Sequence, residues 1–381
     1  MTTKHHAPDY VLILTFLAIL VFGVVMLSSV SSAIAYDRFQ DNYYYLKRQI
    51  ILGVIPGVIL FYFLSRIDYH RWRKLALPFL LISIGLLILV LIPGVGVGIG
   101  GARRWLNLGG FTFQPSEAVK LTFLIYLATW LAHRGRTAVK DFSYGLLPFL
   151  SLVGLIAFLM ILQPDVGTMV VIVLISLIVY FIAGARWTHL LGVGAVGALA
   201  LGVLIKIAPY RAARLTAFLN PDVDPLGISY QINQALLAVG SGGLFGLGLG
   251  ASRQKYLFLP EVIGDSIFAV IAEELGFILI TSLVLAFILI VVRGLATARH
   301  APDNFGKLLA AGITVWIGLQ AFLNMAAMIG LMPLTGLPLP FVSYGSSATL
   351  IAAAAMGILV NISRQTKARR IKSLVVSKNV K

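Results

Sequence analysis

Four carboxylates are concentrated in residues 259–276, LPEVIGDSIFAVIAEELG, of a 381-residue chain that holds only 14 Asp and Glu. One of them, Asp265, stands just before an apolar run that begins near Ile267. A carboxyl group partly withdrawn from water has a raised pKa, which suits a general base near neutral pH. An Asp at a helix start can instead serve as an N-cap, and its position alone leaves both interpretations open.

Glu273 and Glu274 follow Asp265 two turns deeper in the same predicted helix. Helical geometry turns Glu273 about 80° and Glu274 about 180° away from Asp265. Acids at membrane depth must face protein or a cavity. We therefore expect Glu273 to support the site of Asp265, Glu274 to pair with another helix, and Glu261 to be structural.

A second polar cluster lies in residues 101–121, GARRWLNLGGFTFQPSEAVKL. Glu117 and Lys120 are three residues apart, so they share one helix face and can form a salt bridge. Arg103 and Arg104 precede Trp105, an arrangement that can bind phosphate. The same residues can instead anchor the chain at the membrane surface.

Three further segments carry candidate site residues. Asp165 lies in QPDVGT (163–168), Arg253 and Lys255 lie in SRQKYLFLPE (252–261), and Ser343 lies in GLPLPFVSYG (336–345). We expect the Arg253 and Lys255 side chains to form a cationic patch. The DVD sequence at 222–224 has the spacing of a metal-binding DxD motif, but the prolines on both sides favour a turn.

Composition indicates a membrane protein. Hydrophobic residues make up 59% of the chain and charged residues 12%, with a mean hydropathy of +0.95, whereas soluble domains are about half apolar and a quarter charged. The apolar runs lack the alternation of barrel strands. The absence of cysteine excludes disulfides and thiol chemistry, and the six His show no metal-binding spacing. The net charge of +16 fits cytoplasmic loops facing anionic lipid better than nucleic acid.

We predict an all-α polytopic protein with ten spans and both termini in the cytoplasm, because the basic segments then fall inside. Residues 1–363 would form one integral membrane domain and 364–381 a basic cytoplasmic tail. A large extracytoplasmic loop, about 209–266, would join spans 7 and 8, with its GSGGLFGLGLG segment (240–250) forming short interfacial or re-entrant elements. The predicted spans lie near 10–30, 46–65, 75–93, 117–133, 144–162, 166–183, 188–208, 267–292, 308–331 and 341–363.

Six motifs in order, GARRW, QPSExxK, QPDxGT, DPxGxxYQ with SRQK, DxIFAVIAEELG and GLPLPFxSYG, resemble those of the SEDS family, which includes FtsW and RodA. The resemblance implies a ten-span glycosyltransferase in the bacterial cytoplasmic membrane that polymerises lipid II on the outer face. It also implies a class B penicillin-binding protein and other divisome or elongasome membrane proteins as partners. SRQK favours the FtsW type, while Ser266, Ile263-Gly264 and Ser346 depart from the usual family residues.

The resemblance assigns the family's essential acid to Asp265 and its Glu–Lys pair to Glu117 and Lys120. Its remaining polar site residues would fall among Arg103, Asp165, Arg253, Lys255 and Ser343. Asp265 would deprotonate the acceptor hydroxyl, and undecaprenyl pyrophosphate would leave with inversion to a β-1,4 linkage. Basic residues or a divalent cation (Mg or Mn) would balance its charge, and no other cofactor is expected. A flippase for lipid-linked precursors and a non-catalytic scaffold of a cell-wall complex are the alternatives.

Overall fold

The computed structural model describes residues 7–99, 102–207 and 209–366, so positions 367–381 of the expected basic tail lie outside the described residues. Within these ranges the chain forms fourteen α-helices and three β-strands. Single π-helical turns join α2 to α3 (Ile50–Val54) and precede α7 (Phe142–Leu146). The helices are α1 (Tyr10–Phe39), α2 (Tyr44–Gln49), α3 (Ile55–Arg66), α4 (His70–Lys74), α5 (Ala76–Leu91), α6 (Pro115–Val139), α7 (Leu147–Leu162), α8 (Val166–Ile182), α9 (Trp187–Ile207), α10 (Pro209–Leu219), α11 (Tyr230–Ser241), α12 (Ile267–His300), α13 (Asn304–Met328) and α14 (Ser346–Ser363).

Seven helical segments of the described residues are long and apolar enough to cross a bilayer, and each coincides with a predicted span. The other three predicted spans fall on α5, α6 and α8. Of these, α5 and α8 are shorter apolar helices, and α6 carries Glu117 and Lys120 in its first two turns. The last span begins at Ser346, five residues later than predicted, because residues 340–344 form turns and bends instead of a helix.

A small antiparallel sheet interrupts the helical pattern between α5 and α6. Strands β1 (Gly96–Ile99), β2 (Ala102–Leu108) and β3 (Phe111–Phe113) pair in chain order. Gly109 and Gly110 both have positive φ and form a two-residue turn between the paired Leu108 and Phe111, which is the turn that matches strand twist. The expectation of an all-α protein is therefore wrong for this segment.

Helices α13 and α14 lie at the centre of the bundle, while α9 is the least buried of the long apolar helices. Helix α14 packs closely along α3. A β-carbon at Gly357 would stand 2.7 Å from the Phe61 carbonyl oxygen, so the backbones approach each other as small residues allow between membrane helices.

Helix α12 is broken at Gly276, whose backbone (φ 72°, ψ −179°) is not helical. The glycine-rich segment 242–250 packs against the break. The amides of Leu247 and Gly248 donate to the carbonyls of Glu273 and Glu274 at 2.9 and 3.0 Å. The amide of Phe277 donates in turn to the Gly243 carbonyl at 2.9 Å. The break therefore keeps its backbone groups paired, as a broken helix in an apolar setting requires.

Candidate active site

Asp265 ends the loop that leads into α12, but it does not cap that helix. Ser266 occupies the N-cap position, and no side chain accepts a capping hydrogen bond there. The N-cap interpretation is therefore wrong. The residue is partly exposed, whereas its Oδ1 atom is shielded from solvent and has no hydrogen-bond partner among the described residues. Oδ1 therefore lies in a dry setting, and Oδ2 is the carboxylate oxygen nearer to Gly336.

This environment changes the acidity of Asp265. Burial raises its pKa to about 7, and the negative charge of Glu261 acts in the same direction. The Arg214 guanidinium opposes both effects and lowers the pKa. A carboxylate that is about half ionised near pH 7 combines an available base with a useful driving force for proton transfer.

Arg214 belongs to α10 and reaches over Asp265 from the loop between α9 and α12. Its Nη1 donates to the Leu334 carbonyl at 3.2 Å. A β-carbon built on Gly336 would lie 3.8 Å from Arg214 Nη1 and 3.9 Å from Asp265 Oδ2. Gly336 therefore lies beside both the exposed guanidinium and the carboxylate.

The extended segment 334–340 is fixed to α13 by two amide side chains one turn apart. Asn324 Nδ2 donates to the carbonyls of Asp265 and Leu337, both at 2.7 Å. Gln320 Nε2 donates to the Pro338 carbonyl at 2.9 Å. Because one amide binds both the Asp265 backbone and this segment, α13 sets the position of the carboxylate relative to Gly336.

Glu117 and Lys120 form the expected ion pair, with 2.7 Å between Oε2 and Nζ. Both side chains are almost completely buried. Lys120 Nζ also donates to Gln320 Oε1 at 2.8 Å and lies 5.1 Å from the centre of the Trp316 ring. The pair lines a small cavity that Gln320 and Pro338 also line, so it is joined to the Asp265 segment through α13.

Ser343 and Asp165 occupy structural positions next to this cavity. Ser343 lines it, and its Oγ accepts a hydrogen bond from the Leu339 amide at 2.8 Å. Asp165 caps α8 and accepts from Ser116 Oγ at 2.9 Å, beside Glu117 in the chain. Both residues shape the walls around the Glu117–Lys120 pair.

The prediction that Lys255 forms a cationic patch with Arg253 is wrong. This side chain is buried and pairs with Glu274 at 2.9 Å, because the break in α12 brings the two together. Glu274 also accepts from Ser29 Oγ of α1 at 2.8 Å, which confirms its pairing with another helix. Glu273 accepts from the amides of Arg253 and Gln254 at 3.1 and 3.3 Å, so it fixes the loop before Asp265.

The remaining candidates lie at the surface. Arg103 on β2 and Arg253 are both exposed. Asp224 accepts hydrogen bonds from the amides of Gly227 and Ile228 at 3.0 and 3.2 Å, so the DVD sequence forms a turn as its prolines indicated. The described residues contain no cluster of three or more His, Cys, Asp or Glu that could hold a metal.

Comparison with known proteins agrees with the motifs. The family model of cell cycle proteins that covers FtsW, RodA and SpoVE matches residues 9–368. The chain belongs to the FtsW/RodA/SpoVE family. It is 43% identical to stage V sporulation protein E of Bacillus subtilis over 96% of this chain and all of the relative. It is 45% identical to the "Probable peptidoglycan glycosyltransferase FtsW" of Thioalkalivibrio sulfidiphilus, over 94% of this chain and 90% of that protein.

Solved structures of this family share the fold. A chain from a peptidoglycan synthase complex that coordinates polymerization and crosslinking has a TM-score of 0.76 and 32% identity, over 94% of this chain and 98% of that chain. The rod shape determining protein RodA of Thermus thermophilus has a TM-score of 0.70 and 30% identity, over 95% and 98%. Together with the seven apolar helices, family membership identifies a multi-pass membrane protein.

Three residues that position this family member's site were missed in the sequence. Gln320 and Asn324 are amides four residues apart in the otherwise apolar α13, and polar residues inside an apolar helix are a usable signal. Arg214 stands in PYRAARL (209–215) without a motif of its own. Its place beside Asp265 depends on how α10 folds back, which no local pattern encodes.

We predict that Lys120→Met destabilises the protein strongly, because it leaves Glu117 buried without its counter-ion. Breaking a buried pair in this way costs about 3–5 kcal/mol. The double variant Glu117→Gln with Lys120→Met removes both charges and should recover much of that loss. Thermal unfolding of the two variants in the same detergent measures the difference. Equal stability of the single and double variants would contradict an energetic coupling between the two side chains.

Proposed function

We propose that this protein is a peptidoglycan glycosyltransferase that polymerises lipid II into β-1,4-linked glycan strands. Family membership supports the reaction class. The assignment of the active site rests on the environment of Asp265. It is a carboxylate with an unpartnered Oδ1 and a pKa raised by burial to about 7. A shielded carboxylate oxygen without a hydrogen-bond partner is costly, and a carboxyl group with a strongly raised pKa is a candidate catalytic base.

In the proposed reaction, Asp265 takes the proton of the acceptor's 4-hydroxyl group. The oxygen then attacks the anomeric carbon of the donor sugar, and the bond from that carbon to the pyrophosphate oxygen breaks. The electron pair leaves with undecaprenyl pyrophosphate, and the anomeric centre is inverted. Asp265 returns its proton to water. One base suffices because pyrophosphate leaves without protonation and needs only charge neutralisation.

We place this site on the outer face of the bacterial cytoplasmic membrane. Ten spans with both termini inside put loop 209–266, and with it Arg214 and Asp265, on the extracytoplasmic side. The seven long apolar helices account for seven of the ten spans, and α5, α6 and α8 would be the other three. The basic segments RIDYHRWRK (66–74) and RGLATARH (293–300) then face the cytoplasm, in agreement with the positive-inside rule.

The proposed partner is a class B penicillin-binding protein with transpeptidase activity, acting with other divisome or elongasome membrane proteins. The likeness to a chain of a peptidoglycan synthase complex supports this assignment. A divalent cation such as Mg²⁺ would be held by the Asp265 carboxylate, and Glu261 adds negative charge at the same place. It would need substrate phosphates to complete its coordination, since Mg²⁺ commonly binds through one or two carboxylates together with phosphates and water.

Lipid II polymerisation by purified wild-type protein, with and without the transpeptidase, tests this proposal against Asp265→Ala. We expect glycan strands from the wild type only. Asp41→Ala is the matched control, because Asp41 is partly exposed and paired with Lys47. Polymer formed by correctly folded Asp265→Ala would contradict the role of Asp265. Absence of polymer from the wild type under every condition would favour the flippase or scaffold, which lipid II translocation in vesicles would distinguish.

A further inference from the structure

Gly336 leaves a gap next to Arg214 and Asp265, because a β-carbon built on it would overlap no neighbouring atom. The nearest heavy atoms to a β-carbon built on Gly336 are Arg214 Nη1 at 3.8 Å and Asp265 Oδ2 at 3.9 Å. The two charged groups are farther apart than the 4.0 Å limit of an ion pair, so they do not neutralise each other directly.

The two sides of this gap have complementary chemistry. Asp265 presents a carboxylate whose Oδ1 lacks a partner among the described residues. Arg214 is exposed, and its Nη1 donates to the Leu334 carbonyl at 3.2 Å. A guanidinium has five N–H donors in a planar fork that matches phosphate oxygens, so it retains donors for a ligand. A hydroxyl group can therefore lie against one wall and a phosphate against the other.

Three other cations are less well placed for this task. Lys120 and Lys255 are buried and paired with Glu117 and Glu274. Arg104 lies 3.8 Å from Asp165 and donates to the Gln163 carbonyl. Of these four cations, Arg214 alone is exposed and faces Asp265 without an acidic ion-pair partner among the described residues.

We propose that this gap is the reaction slot, in which Arg214 binds the pyrophosphate of the donor while Asp265 receives the acceptor hydroxyl, and that Gly336 keeps the slot open. This inference rests on the proposed function and names the residue that neutralises the leaving group. As the bond to the pyrophosphate oxygen breaks, negative charge grows on that oxygen. Arg214 stabilises this charge in place, with Leu334 orienting its guanidinium.

The first test is Gly336→Ala, which adds one methyl group to the slot. The methyl would make ordinary contacts with both walls and exclude a substrate atom, and the φ of 70° adds backbone strain that the control variant also carries. Gly330→Ala is a matched control, because Gly330 has the same φ of 70° and its β-carbon would meet only Leu236 at 3.5 Å. We expect Gly336→Ala to lower kcat/KM for lipid II polymerisation about 100-fold, as small displacements in a reaction site do. Equal activity of the two folded variants would overturn the slot.

The second test uses Arg214→Gln and Arg214→Lys, with the exposed Arg299→Gln as control. We expect Arg214→Gln to lower kcat about 10²–10³-fold, the usual cost of removing one transition-state donor, and Arg214→Lys to restore part of the rate. Glu261 and Arg214 are the charged groups that act on Asp265. Loss of Arg214 should therefore move the acidic limb of the pH–rate profile to higher pH, a shift that a purely structural role would not produce.

The outcomes separate this inference from the proposed function. The slot would be overturned if the wild type polymerises lipid II, Gly336→Ala is as active as Gly330→Ala, and the acidic limb of the pH–rate profile does not move in Arg214→Gln. The proposed function would still stand in that case. If Arg214→Gln does not fold, the two glycine variants decide the question by themselves. A wild type without polymerase activity would instead refute the proposed function first.

Discussion

Asp265→Asn is expected to abolish polymerisation and to raise the thermal stability of the protein at the same time. Asparagine cannot accept the proton, and loss of a general base lowers the rate by about 10²–10⁴-fold. The neutral amide also removes a carboxylate whose Oδ1 is shielded and unpartnered. Such an unsatisfied group costs about 1–3 kcal/mol, so the variant should unfold at a higher temperature than the wild type at pH 8.

The pH dependence of this stability gain follows from the pKa. Burial raises the pKa of Asp265 in the folded protein from an ordinary value near 3.8 to about 7. Between these values the folded state holds a proton that the unfolded state has lost, so wild-type stability falls as pH rises. Below pH about 4 both states are protonated, and above pH about 7 the difference is constant. The advantage of Asp265→Asn should therefore grow from pH 4 to pH 7 and then level off.

Thermal unfolding of both proteins across this pH range, in one detergent, measures the effect. Asp41→Asn serves as the control, because Asp41 is partly exposed and its pKa is lowered by the hydrogen bond from Lys47. An Asp265→Asn variant that is less stable than the wild type at every pH would show that the carboxylate stabilises the fold. That result would remove the argument that Asp265 is retained for chemistry.

We expect Gly276→Ala to lower the free energy of unfolding more than Gly135→Ala, Gly330→Ala or Gly336→Ala does. The backbone of Gly276 lies in a region that is essentially restricted to glycine. A β-carbon there would stand 2.2 Å from the Gly246 amide nitrogen and 2.7 Å from the Leu244 carbonyl oxygen. Segment 242–250 would have to move away from α12, and the hydrogen bonds that join this segment to both halves of the helix would be lost. We expect a loss of more than about 3 kcal/mol, combining backbone strain with overpacking.

Gly135→Ala separates strain from steric overlap. Gly135 interrupts α6 with nearly the same backbone (φ 73°, ψ 169°), but a β-carbon there would meet nothing within 4 Å. It should therefore show the strain alone, about 1–3 kcal/mol. Chemical or thermal unfolding of both variants provides the comparison. Equal losses would mean that the glycine-rich segment is not packed into the break as described.

The consequence for function is that α12 consists of two connected helices. The first half begins two residues after Asp265 and carries Glu273 and Glu274, which hold the 252–255 loop and Lys255. Because the break at Gly276 is filled by segment 242–250, the loop on the N-terminal side of Asp265 is fixed to the same half-helix. This arrangement limits the freedom of the Asp265 backbone and favours a preorganised site.

The sequence by itself determined the membrane class, the family and the residues with chemistry. Long apolar runs require helices in lipid, and six ordered motifs selected the family. Asp265 was identified because a carboxylate at a membrane boundary is costly. The Glu117–Lys120 pair was identified because a spacing of three places side chains on one helix face. Each of these inferences depends on local spacing or on the cost of removing a group from water.

Only the tertiary structure decided which charged side chains remain available to bind a ligand. The sequence predicts a surface position for Lys255 beside Arg253. The break in α12 instead places Lys255 against Glu274 in the interior. Arg214 has no motif, yet α10 brings it to the point where Gly336 faces Asp265. The partners in these contacts are 19 residues apart in the chain for Lys255 and Glu274 and 120 apart for Arg214 and Leu334. Local spacing does not encode those contacts, because they form only when separate helices pack together.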